Sequence, residues 1–343
     1  MLRRDLGTDE AELFAGKMID DLGESIEIAE LGEVDLAPAI GVRVAEPGER
    51  NAEIVLRDAL AALGEATGHE GRRLVVFDPR ISDKPRLRFE LEQALRQGLL
   101  DAQFQLHYQP IVDLGSNKRV GFEALIRWQR PGHGLVAPLD FIEIAEHSGL
   151  IVPIGAWVFA KGLADLASIL AVNPGVFMTL NVSPYQLASG ALADHLVAAC
   201  EAAGVQPSSV CVELTETAMV TARHNAASYD ALVTLRSTGA RIAIDDFGMG
   251  YSALSYLTDL PVDIVKIDRS FVSRLDAVAA DVVLVEAVIR LAHQLGLTVI
   301  AEGVETMEQL DVLRSLDADA AQGYLFDRPE PLETILSQLS SGN

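Results

Sequence analysis

The sequence predicts an α/β protein in which a TIM-like (β/α)8 barrel follows a small N-terminal α+β fragment. From about residue 100 onward, strand-like and helix-like segments alternate, which is the pattern of βα units and a mostly parallel sheet. About eight such units occupy roughly 250 residues, which is the size of such a barrel. Seven short apolar runs also end in a polar side chain. A doubly wound open sheet is the alternative, but it places its ligand at one switch point and does not use the ends of seven strands.

The elements of the predicted barrel follow one another in a regular order. Strands are expected at residues 104–112, 121–125, 176–182, 210–213, 241–246, 264–268, 298–302 and 320–323. Helices are expected at residues 138–148, 163–170, 191–202, 225–237, 251–257, 280–295, 307–316 and 332–339, where apolar residues recur at helical spacing or stop signals follow. The most apolar stretch, 150–170, contains Pro153, Lys161 and Asp165, so we predict an amphipathic helix against the sheet and no membrane segment.

The N-terminal part differs in pattern from the barrel. A strand is predicted at 37–44, a helix at 52–65 and a second strand at 73–77. Residues 78–84, with Pro79 among them, are predicted to form a turn-rich joint, and 86–99 a helix. This gives three parts: a fragment over residues 1–80, a linker helix over 81–99 and the barrel over 100–343.

Composition limits the classes of function. The 343 residues are 49% hydrophobic and 22% charged, so a large core is expected. The net charge of −23 repels bare polyanions and argues against binding to duplex nucleic acid, although metal ions can supply positive charge for an anionic ligand. Cys200 and Cys211 are read as small buried hydrophobic residues. No secretory signal pattern follows Met1, so we expect a cytoplasmic protein.

The polar residues at the strand ends indicate metal chemistry. An unpaired buried carboxylate costs several kcal/mol, so acids at the ends of buried strands need a reason. Oxygen ligands without histidine or cysteine suit Mg²⁺ or Mn²⁺. Two such ions activate water and stabilise the leaving oxygen of a phosphodiester. The residues concerned are Glu123, Asn181, Glu213, Asp245, Asp246, Lys266, Asp268, Glu302 and Gln322.

Lys266 is the one cationic residue of this set. Among carboxylates it can orient a water or neutralise developing charge, and a structural ion pair with Asp268 or Asp246 is the alternative. An aldolase-like barrel with a Schiff base at Lys266 is a further reading. It requires a depressed lysine pKa, which a ring of carboxylates opposes.

Residues 104–331 resemble the EAL-domain cyclic di-GMP phosphodiesterases over nearly their whole length. Seven motifs occur in the order found in that family: GFEALIRW (121–128), LNVS (180–183), ELTE (213–216), DDFGMGYSAL (245–254), VKIDRSF (265–271), AEGVET (301–306) and AQGYLF (321–326). The resemblance implies a TIM-like barrel whose first strand is antiparallel to the rest. It also implies hydrolysis of cyclic di-GMP to linear pGpG with Mg²⁺ or Mn²⁺, two ions being expected.

The resemblance also implies roles for individual residues. Metal ligation is implied for Glu123, Asn181, Glu213 and Asp245, with Asp246 at the second ion and Glu302 completing the site. Lys266 matches the lysine at the attacking water, and Glu216 the glutamate that anchors the loop after Asp246. Supporting or substrate-side positions are implied for Gln109, Arg127, Asp268 and Gln322.

Two features of the resemblance bear on activity and assembly. Met249 stands where the family loop usually has threonine, which affects loop dynamics and coupling across a homodimer that the resemblance implies. No metal ligand and no lysine is lost, which favours an enzyme over the alternative, a catalytically silent cyclic di-GMP receptor. The N-terminal part resembles the C-terminal half of a GGDEF (diguanylate cyclase) domain, degenerate at Thr8 and Ala11, so cyclase activity is not expected.

Overall fold

The computed structural model describes residues 7–23, 26–28, 32–34, 36–45, 49, 51–68, 73–248, 257–275 and 279–341. The chain divides into two compact units, Met1–Leu91 and Glu92–Asn343. Met249 and nearly all of the helix predicted at 251–257 lie outside the described residues.

The first unit contains two small sheets and the helices α1 (Thr8–Leu22) and α2 (Ala52–Gly68). Strands β1 (Ile26–Ile28) and β2 (Gly32–Val34) pair antiparallel, and β3 (Ile40–Val42) pairs parallel with β4 (Leu74–Val76). Gly41 brings β3 so close to α2 that an added Cβ would lie 2.5 Å from the carbonyl oxygen of Ala59. The predicted strand–helix–strand order is therefore present, while the β1–β2 pair was not predicted.

Helix α3 (Pro79–Leu100) corrects one prediction. The turn expected over residues 78–84 is wrong, because the helix already begins at Pro79. Proline is well suited to the first position of a helix, where its missing N–H has no intrahelical partner and its fixed φ is already helical. The division between the two units, after Leu91, falls within this helix.

The strands of the second unit form a closed barrel. They are β5 (Phe104–Asp113), β6 (Arg119–Arg130), β7 (Gly134–Val136), β8 (Phe177–Asn181), β9 (Val210–Thr215), β10 (Arg241–Phe247), β11 (Ile264–Ile267), β12 (Thr298–Ala301), β13 (Ala320–Ala321) and β14 (Glu330–Pro331). The ring runs β5-β13-β12-β11-β10-β9-β8-β6 and closes where β6 pairs with β5. Strand β5 is antiparallel to both neighbours and the other strands of the ring run parallel, which confirms the predicted fold.

The helices of this unit lie at α4 (Ile142–His147), α5 (Ile151–Val172), α6 (Pro184–Ala188), α7 (Leu192–Ala203), α8 (Glu216–Arg223), α9 (Ala226–Ser237), α10 (Arg269–Val272), α11 (Ala279–Gln294), α12 (Met307–Ser315) and α13 (Leu332–Ser340). Helix α5 is long and apolar enough to cross a membrane by length and composition alone. Its residues Ile154, Leu163 and Leu166 are buried, and Gly162 lies against Leu180 of β8. This packing agrees with the predicted helix against the sheet.

Strand β6 extends beyond its predicted end. The apolar run at 121–125 is only the middle of a 12-residue strand that continues into a hairpin with β7, so Glu123 does not end a strand. The far end of β6 carries Trp128, which is fully buried and packs against the last turn of α3. An added Cβ at Gly98 there would lie 2.8 Å from Trp128 Nε1.

An apolar layer fills the barrel at the end where the parallel strands begin. Its members are Ile111, Phe177, Cys211, Ala243, Ile264, Ile300 and Ala320, all buried. Cys200 and Cys211 are free and buried, as predicted, and burial raises the pKa of both thiols. This apolar layer closes the barrel at the end where the parallel strands begin. Solvent therefore reaches the polar side chains of the barrel from the opposite end.

Candidate active site

Neighbouring strands bring the predicted polar residues together at one end of the barrel. Asn181, the last residue of β8, pairs with Glu213 of β9, and Glu123 of β6 pairs with Gln109 of β5. Asp245 and Asp246 lie near the end of β10, and Lys266 lies in β11. Glu302 and Gln322 directly follow β12 and β13. Because parallel strands end at the same face, one rim of the barrel carries these groups.

Lys266 lies at the centre of this cluster and is fully buried. Its Nζ is 2.5 Å from Glu302 Oε1, 2.9 Å from Glu213 Oε2, 3.3 Å from Asp245 Oδ1 and 3.6 Å from Glu123 Oε2. Among the described residues Nζ makes no contact with hydrogen-bond geometry, so these contacts are ion pairs. One ammonium group thus faces four carboxylates, and the site has more negative than positive charge when all are ionised.

Burial and this charge imbalance set the pKa values of the cluster. Burial alone would lower the pKa of Lys266, but the four carboxylates raise it well above its usual value. Burial raises the pKa of Glu213 well above the usual range and that of Glu302 to about 8, with Lys266 opposing both shifts. A Schiff base needs a neutral amine, so the raised pKa of Lys266 argues against the aldolase-like reading.

Glu123 is the carboxylate held most firmly by neighbouring side chains. Asn181 Nδ2 donates to Glu123 Oε1 at 2.8 Å, and Gln322 Nε2 donates to Glu123 Oε2 at 2.6 Å. Burial would raise the pKa of Glu123, but Lys266, Gln322 and Asn181 together hold it below its usual value. Gln322 Nε2 also donates to Gln109 Oε1, and Gln109 Nε2 donates to the carbonyl of Asp327. This chain of amides fixes the orientation of Glu123.

Several buried oxygens of the cluster lack hydrogen-bond partners among the described residues. Both carboxylate oxygens of Glu213 and Oδ1 of Asp245 are in this state. Asp245, Asp246 and Glu302 each offer an oxygen, and these three oxygens lie within 4.8 Å of one another. Lys266 Nζ approaches Glu213 Oε2 and Asp245 Oδ1, but its single positive charge does not balance four buried carboxylates, which are costly without further positive charge. An oxygen-only donor set of this kind fits a hard divalent cation.

Asp246 and the loop that follows it have an unusual backbone. Asp246 has φ of 54°, in the left-handed region, and burial with the nearby Asp245 and Asp268 raises its pKa to about 6. Asp268 also caps α10, since its Oδ1 accepts from Ser270 N at 2.8 Å. Glu216 Oε2 accepts from Gly248 N at 3.0 Å, so Glu216 holds the start of the loop after Asp246.

A cleft of about 200 Å³ opens over the carboxylates. Of the residues predicted for the site, Gln109, Glu123, Asp245, Glu302 and Gln322 line it. None of the remaining lining residues was predicted for the site: they are Leu125, Arg269, Gly303, Glu305, Gly323 and Tyr324. Arg269 directly follows the predicted site residue Asp268, and Tyr324 stands two residues after Gln322, which is the signal that could have indicated them.

Arg127 does not line the cleft. It is half-buried, and its Nη1 donates to the carbonyl of Ile126 at 2.9 Å. Burial lowers its pKa, while Glu123 and Tyr324 oppose the shift. Arg127 therefore interacts electrostatically with Glu123 and Tyr324 of the cleft lining, while its guanidinium donates a hydrogen bond to its own strand.

Comparison with known proteins places this geometry in a family. The family model described as "EAL domain" matches residues 92–329. The chain is 34% identical over 328 residues to Cyclic di-GMP phosphodiesterase NbdA of Pseudomonas aeruginosa, covering 95% of this chain and 41% of that protein. It is 33% identical over 332 residues to the Bifunctional diguanylate cyclase/cyclic di-GMP phosphodiesterase MucR of the same organism, covering 96% of this chain and 48% of that protein.

A solved structure described as "PaMucR Phosphodiesterase, c-di-GMP complex" matches with a TM-score of 0.68 and 38% identity, over 72% of this chain and 99% of that one. The chain spans between 39% and 54% of the length of the first curated relatives it matches. The family match covers all eight strands of the ring and every residue of the acidic cluster. The chain therefore belongs to the EAL domain family.

Proposed function

We propose that this chain hydrolyses cyclic di-GMP to linear pGpG in a reaction that depends on Mg²⁺ or Mn²⁺. The observation that carries the proposal is the buried cluster of four carboxylates around Lys266, with donor-free oxygens on Glu213 and Asp245. The relatives support it, since NbdA is named a cyclic di-GMP phosphodiesterase and the MucR structure is described as a c-di-GMP complex.

The residues fit two divalent ions. Glu123, Asn181, Glu213 and Asp245 would hold one ion, and Asp246 with Glu302 would extend the site to a second. Bound there, such ions supply charge neutralisation at the phosphate and a more acidic water. Asn181 has its Nδ2 donating to Glu123, which leaves its carbonyl oxygen available as a ligand. Gln322 and Gln109 keep Glu123 in place through their chain of hydrogen bonds.

The protein groups then carry the remaining steps. Lys266 stays protonated because its pKa is raised, so it acts as a fixed positive charge that orients the water. Glu302 Oε1 lies 2.5 Å from Lys266 Nζ, so Glu302 holds the ammonium group beside the ions that it would help to bind. Glu216 anchors Gly248, and through it the loop after Asp246. Gln109, Arg127, Asp268 and Gln322 support the substrate or the acids that face it.

Other parts of the proposal concern the whole protein. Residues 1–80 are a partial, degenerate GGDEF-like segment, supported by the β3–α2–β4 unit and by the 96% coverage of this chain in the match to MucR. The linker helix (81–99) joins this segment to the barrel (100–343). We further propose a homodimer that acts in the cytoplasm, on cyclic di-GMP and not on duplex nucleic acid.

The test is incubation of the purified chain with cyclic di-GMP and Mg²⁺, followed by chromatography of the nucleotides. We expect pGpG from the wild type, none with EDTA and none from Glu123→Ala, because a metal ligand is lost. Unchanged nucleotide that still binds tightly would establish the silent receptor instead. Retained turnover by Glu123→Ala would contradict the assigned cluster.

A further inference from the structure

We propose that Arg269 binds the phosphate of the cyclic dinucleotide that is not hydrolysed, and so acts as a substrate-positioning residue. The inference rests on the proposed function, since it concerns the same cleft. It adds to the cleft a second anion-binding point, set apart from the acidic cluster that would hold metal ions.

Arg269 has a defined place on the wall of the cleft. It directly follows Asp268 at the start of α10 and lines the cleft together with Gly303 and Tyr324. Its aliphatic stem lies against Gly303, where an added Cβ would be 2.4 Å from Arg269 Cβ and 2.8 Å from its Cγ. Gly303 has φ of 67°, so both its conformation and its missing side chain make room for the arginine.

Arg269 is an exposed residue, and it makes no ion pair with another residue of the described ranges of the chain. Lys266, by contrast, is fully buried and faces four carboxylates. Arg269 is therefore the cationic residue of the cleft lining that is available to a ligand. An arginine held in place but without a protein partner is suited to a bidentate contact with a phosphate.

The charge of the substrate requires such a group. A cyclic dinucleotide carries two phosphodiesters, and ions held by the acidic cluster neutralise only the one that is cleaved. Glu302 and Glu305 line the same cleft as Arg269, in a chain with a net charge of −23, so a second phosphate would meet negative charge there. An uncompensated phosphate there would be repelled. Arg269 supplies the missing positive charge.

Arg127 is less suited to this contact. It lies outside the cleft lining, is half-buried, and donates to the carbonyl of Ile126. A cleft of about 200 Å³ is also smaller than the ~300–1,000 Å³ typical of pockets for drug-sized ligands. A cyclic dinucleotide would therefore extend beyond this cleft.

The experiment measures binding by calorimetry in Ca²⁺, so that its result does not depend on turnover. The variant is Arg269→Gln, with Arg269→Lys as the charge-conserving variant and Arg290→Gln as the matched control. Arg290 is an exposed arginine paired with Glu286 on α11. Each protein is titrated with cyclic di-GMP and with an analogue in which one phosphodiester is replaced by an uncharged methylphosphonate linkage.

For cyclic di-GMP we expect Arg269→Gln to raise Kd about 10- to 100-fold, Arg269→Lys less, and Arg290→Gln less than twofold. With the analogue, whose remaining charged phosphate goes to the metal site, the wild-type and Arg269→Gln values should agree within about twofold. An unchanged Kd for cyclic di-GMP would overturn the proposal. A ratio that persists with the analogue would overturn it too, since Arg269 would then contact guanine.

Thermal midpoints of all variants, expected within about 2 °C of wild type, separate lost binding from lost folding. If Arg269→Gln does not fold, Arg269→Lys and Arg269→Met take its place in the same titrations. Failure of the proposed function gives a different result, namely that the wild type itself does not hydrolyse cyclic di-GMP in Mg²⁺, whether or not it binds the nucleotide.

Discussion

Replacing Lys266 with methionine should destabilise the metal-free protein strongly. The substitution keeps most of the side-chain volume but leaves four carboxylates, now 2.5–3.6 Å from the lost ammonium, without their counter-charge. Removing one partner of a buried ion pair costs about 3–5 kcal/mol. The barrel unit of about 250 residues unfolds with an entropy of roughly 0.5 kcal/mol/K, so the midpoint should fall by about 6–10 °C.

The loss should depend on pH and on metal. Without Lys266 the carboxylates take up protons, so the folded variant binds more protons than the unfolded chain above the usual glutamate pKa. Its stability relative to wild type should therefore fall as the pH rises from about 5 to 8. Divalent cations replace the lost charge and should restore much of the stability.

The assay is thermal unfolding in EDTA and in Mn²⁺, at pH 5.5 and pH 8. Lys118→Met, which removes an exposed lysine, is the matched control and should change the midpoint by less than about 2 °C. If Lys266→Met in EDTA at pH 8 unfolds within 2 °C of wild type, Lys266 is not the counter-ion of the cluster. An equal loss at both pH values would refute the assigned protonation.

Three further results are expected. Calcium should support cyclic di-GMP binding without turnover, because its looser coordination misplaces the nucleophile; efficient hydrolysis in Ca²⁺ alone would count against a two-ion site. Mn²⁺ should bind more tightly as the pH rises from 6 to 8 and should release about one proton or more at pH 7. The reason is that ligand carboxylates must ionise, while the pKa of Glu213 is raised well above its usual value and those of Glu302 and Asp246 are about 8 and 6. Calorimetry in buffers of different ionisation enthalpy measures the release, and no dependence on the buffer would contradict it. Gly303→Ala should displace Arg269 and raise the KM for cyclic di-GMP, as is expected of Arg269→Gln. The alanine at φ 67° should also lower the free energy of unfolding by about 1 kcal/mol or more. An unchanged KM would show that the aliphatic stem of Arg269 does not need the space beside Gly303.

The rim of acids was predictable because it follows from one rule of parallel sheets. Strands that run parallel end at the same edge, so Glu213, Asp245 and Glu302 had to meet once a barrel was inferred. The side-chain contacts of these acids were harder to predict, because the contact of Lys266 with four acids depends on side-chain packing across strands. Sequence spacing also gave no sign of the hydrogen bonds from Asn181 and Gln322 to Glu123.

The errors have local causes. At Pro79 a turn was inferred from composition, whereas proline at the first position of a helix is equally consistent with it. The length of β6 depends on its hairpin with β7, whose residues Gly134–Val136 give little strand signal. Arg269 was overlooked because its role comes from its distance to Gly303, a residue 34 positions later in the sequence.

The reversed direction of β5 has a consequence for how the barrel is connected to what precedes it. In an all-parallel barrel the first strand starts at the end opposite to the active site. Here β5 starts beside Trp128, at the rim, and the last turn of α3 packs on that same indole. The chain therefore enters the barrel at the end that holds the acids, and the last turn of α3 packs there and not against the apolar layer at the opposite end.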